Sequence, residues 1–270
     1  MPVAFPVSSG ASALIVALLC SDVGPGDQVI VPSLTMVAVA NGVKLCGATP
    51  IYADNHPGML NPSWEEIEAK STPKTKAVIV CHTYGVAIKD IGRIAEKCKE
   101  KGWYLIEDVC EALGNRTAEG KLVGLYGDFG CASLYANKLI TAGDGGWVHA
   151  RESKYHDRLK SLINHGFDPR YHFLHFETAP NAKVNGLGAA LACDSMDHID
   201  ELIGQRKKLA RAYRAGLASL AESPQRLVCM EMGNEDAPWV FGVELNSRKE
   251  KDRLRDHMAT YDIETRKSQG

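Results

Sequence analysis

The chain lacks the features that most quickly sort a sequence into a class. Its eight cysteines, at 20, 46, 81, 98, 110, 131, 193 and 229, form no CxxC pair. Most lie inside apolar runs such as "AVIVCH" and "FGCASLY". That pattern excludes a disulfide framework and a zinc ribbon, and fits reduced, buried thiols in a reducing compartment. An excess of one charge is also missing: 31 Lys and Arg face 33 Asp and Glu. The balance argues against a nucleic-acid or anionic-membrane partner. The one mildly basic stretch, "GQRKKLARAYR" (204–214), reads as the wet face of an amphipathic helix. Long hydrophobic runs are absent as well. "SALIVALLC" (12–20) is too short to span a bilayer and no Lys or Arg precedes it. It reads as a buried helix beginning after Gly10, and the protein is expected in the cytoplasm. "HFLH" (172–175) has a conceivable metal spacing but no further ligand beside it, so no metal is expected.

What is present is a regular alternation. From Gln28 to Ala150, β-rich runs ("QVIVP", "TPIYAD", "KAVIVCH", "WYLIED") take turns with helical stretches ("TMVAVANGVKLCG", "NPSWEEIEAK", "KDIGRIAEKCKEKG"). Pro62 is placed in the first turn of its helix and Gly102 ends the last of these. Strands separated by helices imply right-handed crossovers. The predicted architecture is therefore α/β, three layers with a mainly parallel sheet. "GCASLY" and "GGWVHA" add two more strands. After residue 151 the pattern turns helical as far as about 220, and "WVFGVELN" with "KEKDRLRDHMATY" reads as the start of a small α+β domain. The expected division is a large domain, 1–222, and a partial C-terminal domain, 223–270. "GLGAAL" (186–191) imitates a dinucleotide fingerprint, but no strand precedes it and no acidic residue ends a second strand at the right distance, so it reads as helix packing.

In such sheets reactive groups gather at the carboxyl ends of the strands. Three segments belong there. "VSSGASAL" (7–14) is a serine-rich turn with Gly10 opening a helix, whose free N–H groups and Ser9 or Ser12 hydroxyls suit a phosphate; a helix cap uses the same residues. "WYLIEDVCEALG" ends a strand in Glu107-Asp108, one of which projects from the tip. "SLYANKLITAGDGG" (133–146) carries Lys138 just after a strand that ends with Ser133. A phosphate seat, a strand-end carboxylate and a strand-end amine match the needs of pyridoxal 5'-phosphate: the lysine bonds the aldehyde, the aspartate keeps the ring nitrogen protonated, and the helix terminus takes the phosphate.

Those segments, with "GPGDQVIVPSLTMVAVANGV", "GATPIYAD", "TPKTKAVIVCHTYG" and "INHG", run in the order found in the StrS/DegT-type nucleotide-sugar aminotransferases, which the chain resembles over roughly residues 7–220. The likeness is nearest to the perosamine-synthase-like branch. It implies a fold-type-I pyridoxal phosphate enzyme of polysaccharide biosynthesis, moving an amino group from glutamate to a keto-sugar on a nucleotide diphosphate. By the same resemblance Lys138 is the Schiff-base lysine and proton shuttle. Asp108 pairs with the ring nitrogen and Glu111 lies near the cofactor hydroxyl. Gly10, Ala11, Ser12 and Ser133 line the phosphate, and Met36 packs on the ring. Asn181 reaches the neighbouring subunit's phosphate, which implies a homodimer with shared active sites. His165 and Tyr84 are candidates for the sugar site, though a structural role suits them better.

The sequence departs from the family pattern where Ala11 replaces a Thr, Met36 an aromatic, Asp144 a Glu, and Lys183 and Asn185 an Asn-x-Arg-Met segment. It also reads as shorter than the family at both ends. These departures keep two alternatives open: a sugar 3-dehydratase on the same scaffold, disfavoured because Lys138 is retained, and a non-catalytic paralogue that still dimerises.

Overall fold

The computed structural model describes residues 3–56, 59–168, 170–171, 173–220, 228–229 and 237–267. His172 of "HFLH" lies outside them. The described chain runs β1 (Val3–Val7), α1 (Gly10–Cys20), β2 (Gln28–Pro32), α2 (Val37–Leu45), β3 (Thr49–Ala53), α3 (Trp64–Ala69), β4 (Thr75–Cys81), α4 (Ile91–Lys101), β5 (Tyr104–Asp108), β6 (Phe129–Ser133) and β7 (Gly146–Ala150). It continues with α5 (His156–Ile163), α6 (Gly186–Asp197), α7 (Ile199–Leu217), β8 (Val228–Cys229), β9 (Val243–Glu244) and α8 (Arg248–Ala259).

One seven-stranded sheet is ordered β1-β7-β6-β5-β4-β2-β3. Its pairs are parallel from β3 through β6, and β7 runs antiparallel to both β6 and β1. The sheet is therefore α/β and mostly parallel, with β7 the reversed strand. β8 and β9 pair separately.

The expected strands and helices form close to where the sequence pattern puts them, except at β1, at Pro62 and in "WVFGVELN", of which only Val243–Glu244 is a strand, paired with the unexpected Val228–Cys229. β1 was not anticipated, because Pro6 weakens "VAFPV" as a strand. It is tolerated because β1 lies at the end of the sheet, where a missing N–H breaks little. Pro62 stands before the helix instead of in its first turn: Ser63 is the N-cap, and it shares a reciprocal capping box with Glu66.

Strand alternation sorts the core into two layers. Val29, Val31, Ile79 and Ile106 face the layer that holds α1, α2 and α5. Ile30, Val78, Val80 and Leu105 face the layer of α3 and α4. Asp108 is in phase with Ile106 and is thereby sent toward α1, while Glu107, in phase with Leu105, is sent to the other face. No described helix is long and apolar enough to cross a membrane.

Candidate active site

The ends of β4, β5 and β6 meet the start of α1. Ser9 caps α1, its hydroxyl accepting the Ser12 N–H at 3.1 Å. The Ser12 hydroxyl lies 2.9 Å from those of both Ser8 and Ser9. Three hydroxyls and the helix's free amides thus face one spot, the arrangement that receives a phosphate. Gly10 permits it: a Cβ there would stand 2.8 Å from Ser133 Cβ and 2.9 Å from Cys110 Sγ. Glycine lets α1 press against β6 and the turn after β5. Ala11 is exposed in that first turn, and Ser133 is half-buried at the end of β6.

Asp108 closes β5. One carboxylate oxygen accepts the Cys110 N–H at 2.9 Å and the other lies 3.9 Å from the Cys81 thiol. Burial raises its pKa, against which the Cys110 hydrogen bonds and the charge of Lys138 act. Burial, with the Asp108 charge beside them, also pushes the Cys81, Cys110 and Cys131 thiols well above their ordinary range. They stay protonated and are poor nucleophiles.

Glu107 is built differently. It accepts N–H groups from Gly124 (2.8 Å), Tyr126 (2.6 Å) and Gly127 (2.5 Å). His82 Nδ1 takes the Ile88 N–H, so its Nε2 carries the proton and donates to Glu107 at 3.1 Å. Burial opposes ionisation of Glu107, but these donors outweigh it and lower the pKa. The backbone phase separates the two carboxylates: Glu107 ties down a loop and Asp108 lies on the α1 face.

Lys138 lies in the turn after β6, half-buried, with Nζ 3.6 Å from the centroid of the Trp239 ring. Its charge reaches Asp108, Cys110 and Glu111. Glu111 accepts the Tyr84 N–H at 2.6 Å. Burial raises its pKa, partly offset by that bond and by Lys138. Tyr84 itself takes a left-handed backbone, φ 57°.

The remaining candidates border this group less directly. Met36 caps α2 and is 39% exposed. Its neighbour Thr35 donates to Cys81 Sγ at 3.0 Å, which brings the loop beside Asp108. Asn181 is exposed and accepts the Lys183 N–H at 3.4 Å, but the next residue, Ala182, takes the Ser8 N–H at 2.7 Å, so this loop segment abuts the serine cluster. His165, also at positive φ, is held to Pro180 and not to the Asp108 group.

Trp239 is the residue that sequence reasoning did not single out. It arrives from a remote segment tied down by backbone and side-chain hydrogen bonds. Its N–H donates to the Tyr84 carbonyl at 2.9 Å, its indole Nε1 to the Asn137 carbonyl at 3.0 Å, and its own carbonyl accepts from Arg206 at 3.1 Å. Asn115 fastens the same segment through the Gly85 and Ala237 backbones.

The donor set fits pyridoxal phosphate. An ionised carboxylate offers about four acceptor sites. Asp108 spends one on the Cys110 backbone N–H and others on the Cys110 and Cys81 thiols, which leaves a site for a ring N–H. The Gly10 approach and the three serines suit a phosphate, and an amine lies within the field of the same carboxylate.

Comparison with known proteins points the same way. The profile of the DegT/DnrJ/EryC1/StrS aminotransferase family matches residues 1–268. The GDP-perosamine synthase of Escherichia coli O157:H7 is 33% identical over 96% of this chain and 70% of its own length, and that of Vibrio cholerae 35% identical over the same shares. Among solved structures, S. venezuelae DesV in complex with a ketimine intermediate superposes with a TM-score of 0.88 at 31% identity, covering 97% of this chain and 68% of that one.

Proposed function

The chain belongs to the DegT/DnrJ/EryC1/StrS aminotransferase family, and from that premise we propose that it transfers an amino group from glutamate to a keto-sugar carried on a nucleoside diphosphate, with a GDP-linked sugar the first candidate. The observation that carries the reading is the meeting of Lys138, Asp108 and the α1 serine cluster at adjoining strand ends. The two similar GDP-perosamine synthases support the substrate class.

When bound, pyridoxal phosphate supplies an aldehyde that takes up the amine and a protonated ring that withdraws electrons. Ser8, Ser9, Ser12 and the first amides of α1 would hold its phosphate, and Ser133 and Ala11 would flank it. The Asp108 carboxylate would accept the ring N–H, and its burial makes that charge pairing stronger than it is in water. Glu111 keeps one carboxyl oxygen on Tyr84 and has the other for the cofactor's hydroxyl. Lys138 Nζ would take the proton from the α-carbon of glutamate and later return one to the sugar carbon that gains nitrogen, acting as base and then acid. The reaction then has two halves, with 2-oxoglutarate leaving before the keto-sugar is aminated.

Two further parts belong to the same reading. The protein acts as a homodimer, supported by the apolar exposure of α6, where Leu187 is 83% and Leu191 56% exposed, and by Asn181 lying at the surface beside the serine cluster. The described parts of 223–270, residues 228–229 and 237–267, belong in this reading to a smaller second domain, the rest of which lies outside the described residues. The seven cysteines with described side chains are all free thiols, which suits a cytoplasmic enzyme.

Incubation with nitrogen-labelled glutamate and a panel of nucleotide-linked keto-sugars tests the proposal. Label recovered in the sugar supports transamination. A deoxygenated sugar without label would instead mean dehydration, and no turnover with a folded, cofactor-bearing protein would mean a non-catalytic paralogue.

A further inference from the structure

Trp239 is 101 positions from Lys138 in sequence, yet its indole face is the surface on which the lysine's ammonium rests, 3.6 Å from the ring centroid. Three hydrogen bonds of Trp239 fix that face in place. Its indole Nε1 donates to the Asn137 carbonyl, the backbone of the residue just before Lys138, so ring and lysine are anchored to one another. Its backbone N–H goes to Tyr84, whose own N–H is held by Glu111. Its carbonyl takes Arg206 from α7. Gly85, at φ +87°, clears the way: a Cβ there would stand 2.7 Å from Trp239 N and 2.8 Å from Pro238 Cα. Asn115, fully buried, clasps Gly85 and Ala237 together.

A surface tryptophan over a lysine would be an accident of packing. Here the backbone on either side is fastened to the loops that carry Glu111 and Lys138, so the ring is built into the site. A lysine that bonds a cofactor must also spend part of each cycle unbonded, when the substrate's nitrogen has displaced it. It leaves as a neutral amine, and once it has taken the substrate's proton its flexible four-carbon stem carries an ammonium that needs a resting place close to where it will give the proton back. The quadrupole of an indole face attracts such a cation.

We propose that Trp239 is a positioning residue that holds the unbonded Lys138 ammonium on its ring face, ready to return to the reacting atoms. The functional part of this inference rests on the transamination reading; the contact itself does not. Its consequence is that Trp239 governs how fast Lys138 acts and leaves substrate affinity alone.

The test uses the full chain without cofactor, labelled with a small amine-reactive reagent and read lysine by lysine by peptide mass mapping. In Trp239→Leu, Lys138 labelling should speed up by roughly two- to fivefold, the size expected of a lost cation–π contact. Trp239→Phe, which keeps a ring, should restore much of the protection. Lys121, which rests on Tyr126 at 4.0 Å, serves as the internal control and should not change. Because the leucine variant could unfold, the same measurement is made on protein in which the four tryptophans are replaced by fluorinated tryptophans. These keep the shape but weaken the ring's negative face, so Lys138 labelling should rise stepwise with fluorination. In the loaded enzyme, Trp239→Leu should lower kcat while KM for the sugar stays within about twofold. Unchanged Lys138 labelling in folded Trp239→Leu and in the fluorinated series overturns the proposal, as does a raised KM with kcat intact, which would make Trp239 a substrate contact. If labelling responds as expected but Lys138 is never fixed to the cofactor by borohydride, the transamination reading fails and the resting contact remains.

Discussion

Glu107 and Asp108 are adjacent carboxylates with opposite fates, and the difference follows from the two-residue period of a strand. Glu107 meets backbone N–H donors and the His82 ring, so its pKa is lowered. Its stabilising contribution is present above the ordinary carboxylate range and is lost as pH falls through its depressed value. Glu107→Gln should cost about 3 kcal/mol at neutral pH, because it turns a satisfied buried charge into a broken network. Chemical denaturation between pH 4 and 7 checks this, and an unchanged midpoint would contradict it. Asp108 runs the other way: burial raises its pKa. Without cofactor, its ionised form costs stability as pH rises above the ordinary range. Asp108→Asn should therefore leave the cofactor-free fold as stable as the parent or more so at pH 7, with the difference vanishing below the ordinary range. In the loaded enzyme the same change should lower kcat about 10²-fold or more, as for removal of one preorganised electrostatic partner. Gly10 makes a third case. Gly10→Ala puts a methyl against Ser133 and Cys110, and should cost about 1–3 kcal/mol of stability and weaken cofactor binding, read by titration of absorbance.

Elements explain what the sequence made legible and what it hid. The strand–helix alternation exposed β2 to β7, because continuous apolar runs and helix-ending glycines are local signals. β1 was hidden by Pro6, whose cost is set by its place at the sheet's end, and that place is a tertiary fact. Lys138, Asp108, Ser133 and the α1 serines were readable because each sits at an element boundary, where residue type and position speak together. Trp239 was not, because its importance comes from Asn115, Gly85 and Tyr84, far away in sequence. The α3 cap is a local device of the first kind. Hydrogen bonds from Ser63 and His56 outweigh its partial burial and hold the Glu66 carboxyl down to about 2. The capping box thus contributes above the ordinary carboxylate range and should weaken only as pH falls toward about 2. Ser63→Ala should cost about 1 kcal/mol, seen as a lower Tm at neutral pH; no change there would mean that the cap does not support the fold.

At the scale of the molecule, the sheet delivers amine, carboxylate and phosphate seat to the carboxyl ends of its strands, and α6 turns two large leucines, Leu187 and Leu191, outward. If that helix is the seam between two copies, replacing Leu187 and Leu191 together by Asp should convert a dimer to a monomer in sedimentation velocity; a parent that sediments as a monomer would remove the shared-site reading. The central claim is narrower: one lysine, at the end of β6, bonds the cofactor across from Asp108. Borohydride reduction of the pyridoxal phosphate-loaded protein, followed by peptide mass mapping, tests it most directly. The expected result is a single phosphopyridoxyl mass on Lys138, absent in Lys138→Ala. The mass on any other lysine, or on none in a folded and loaded protein, would contradict it.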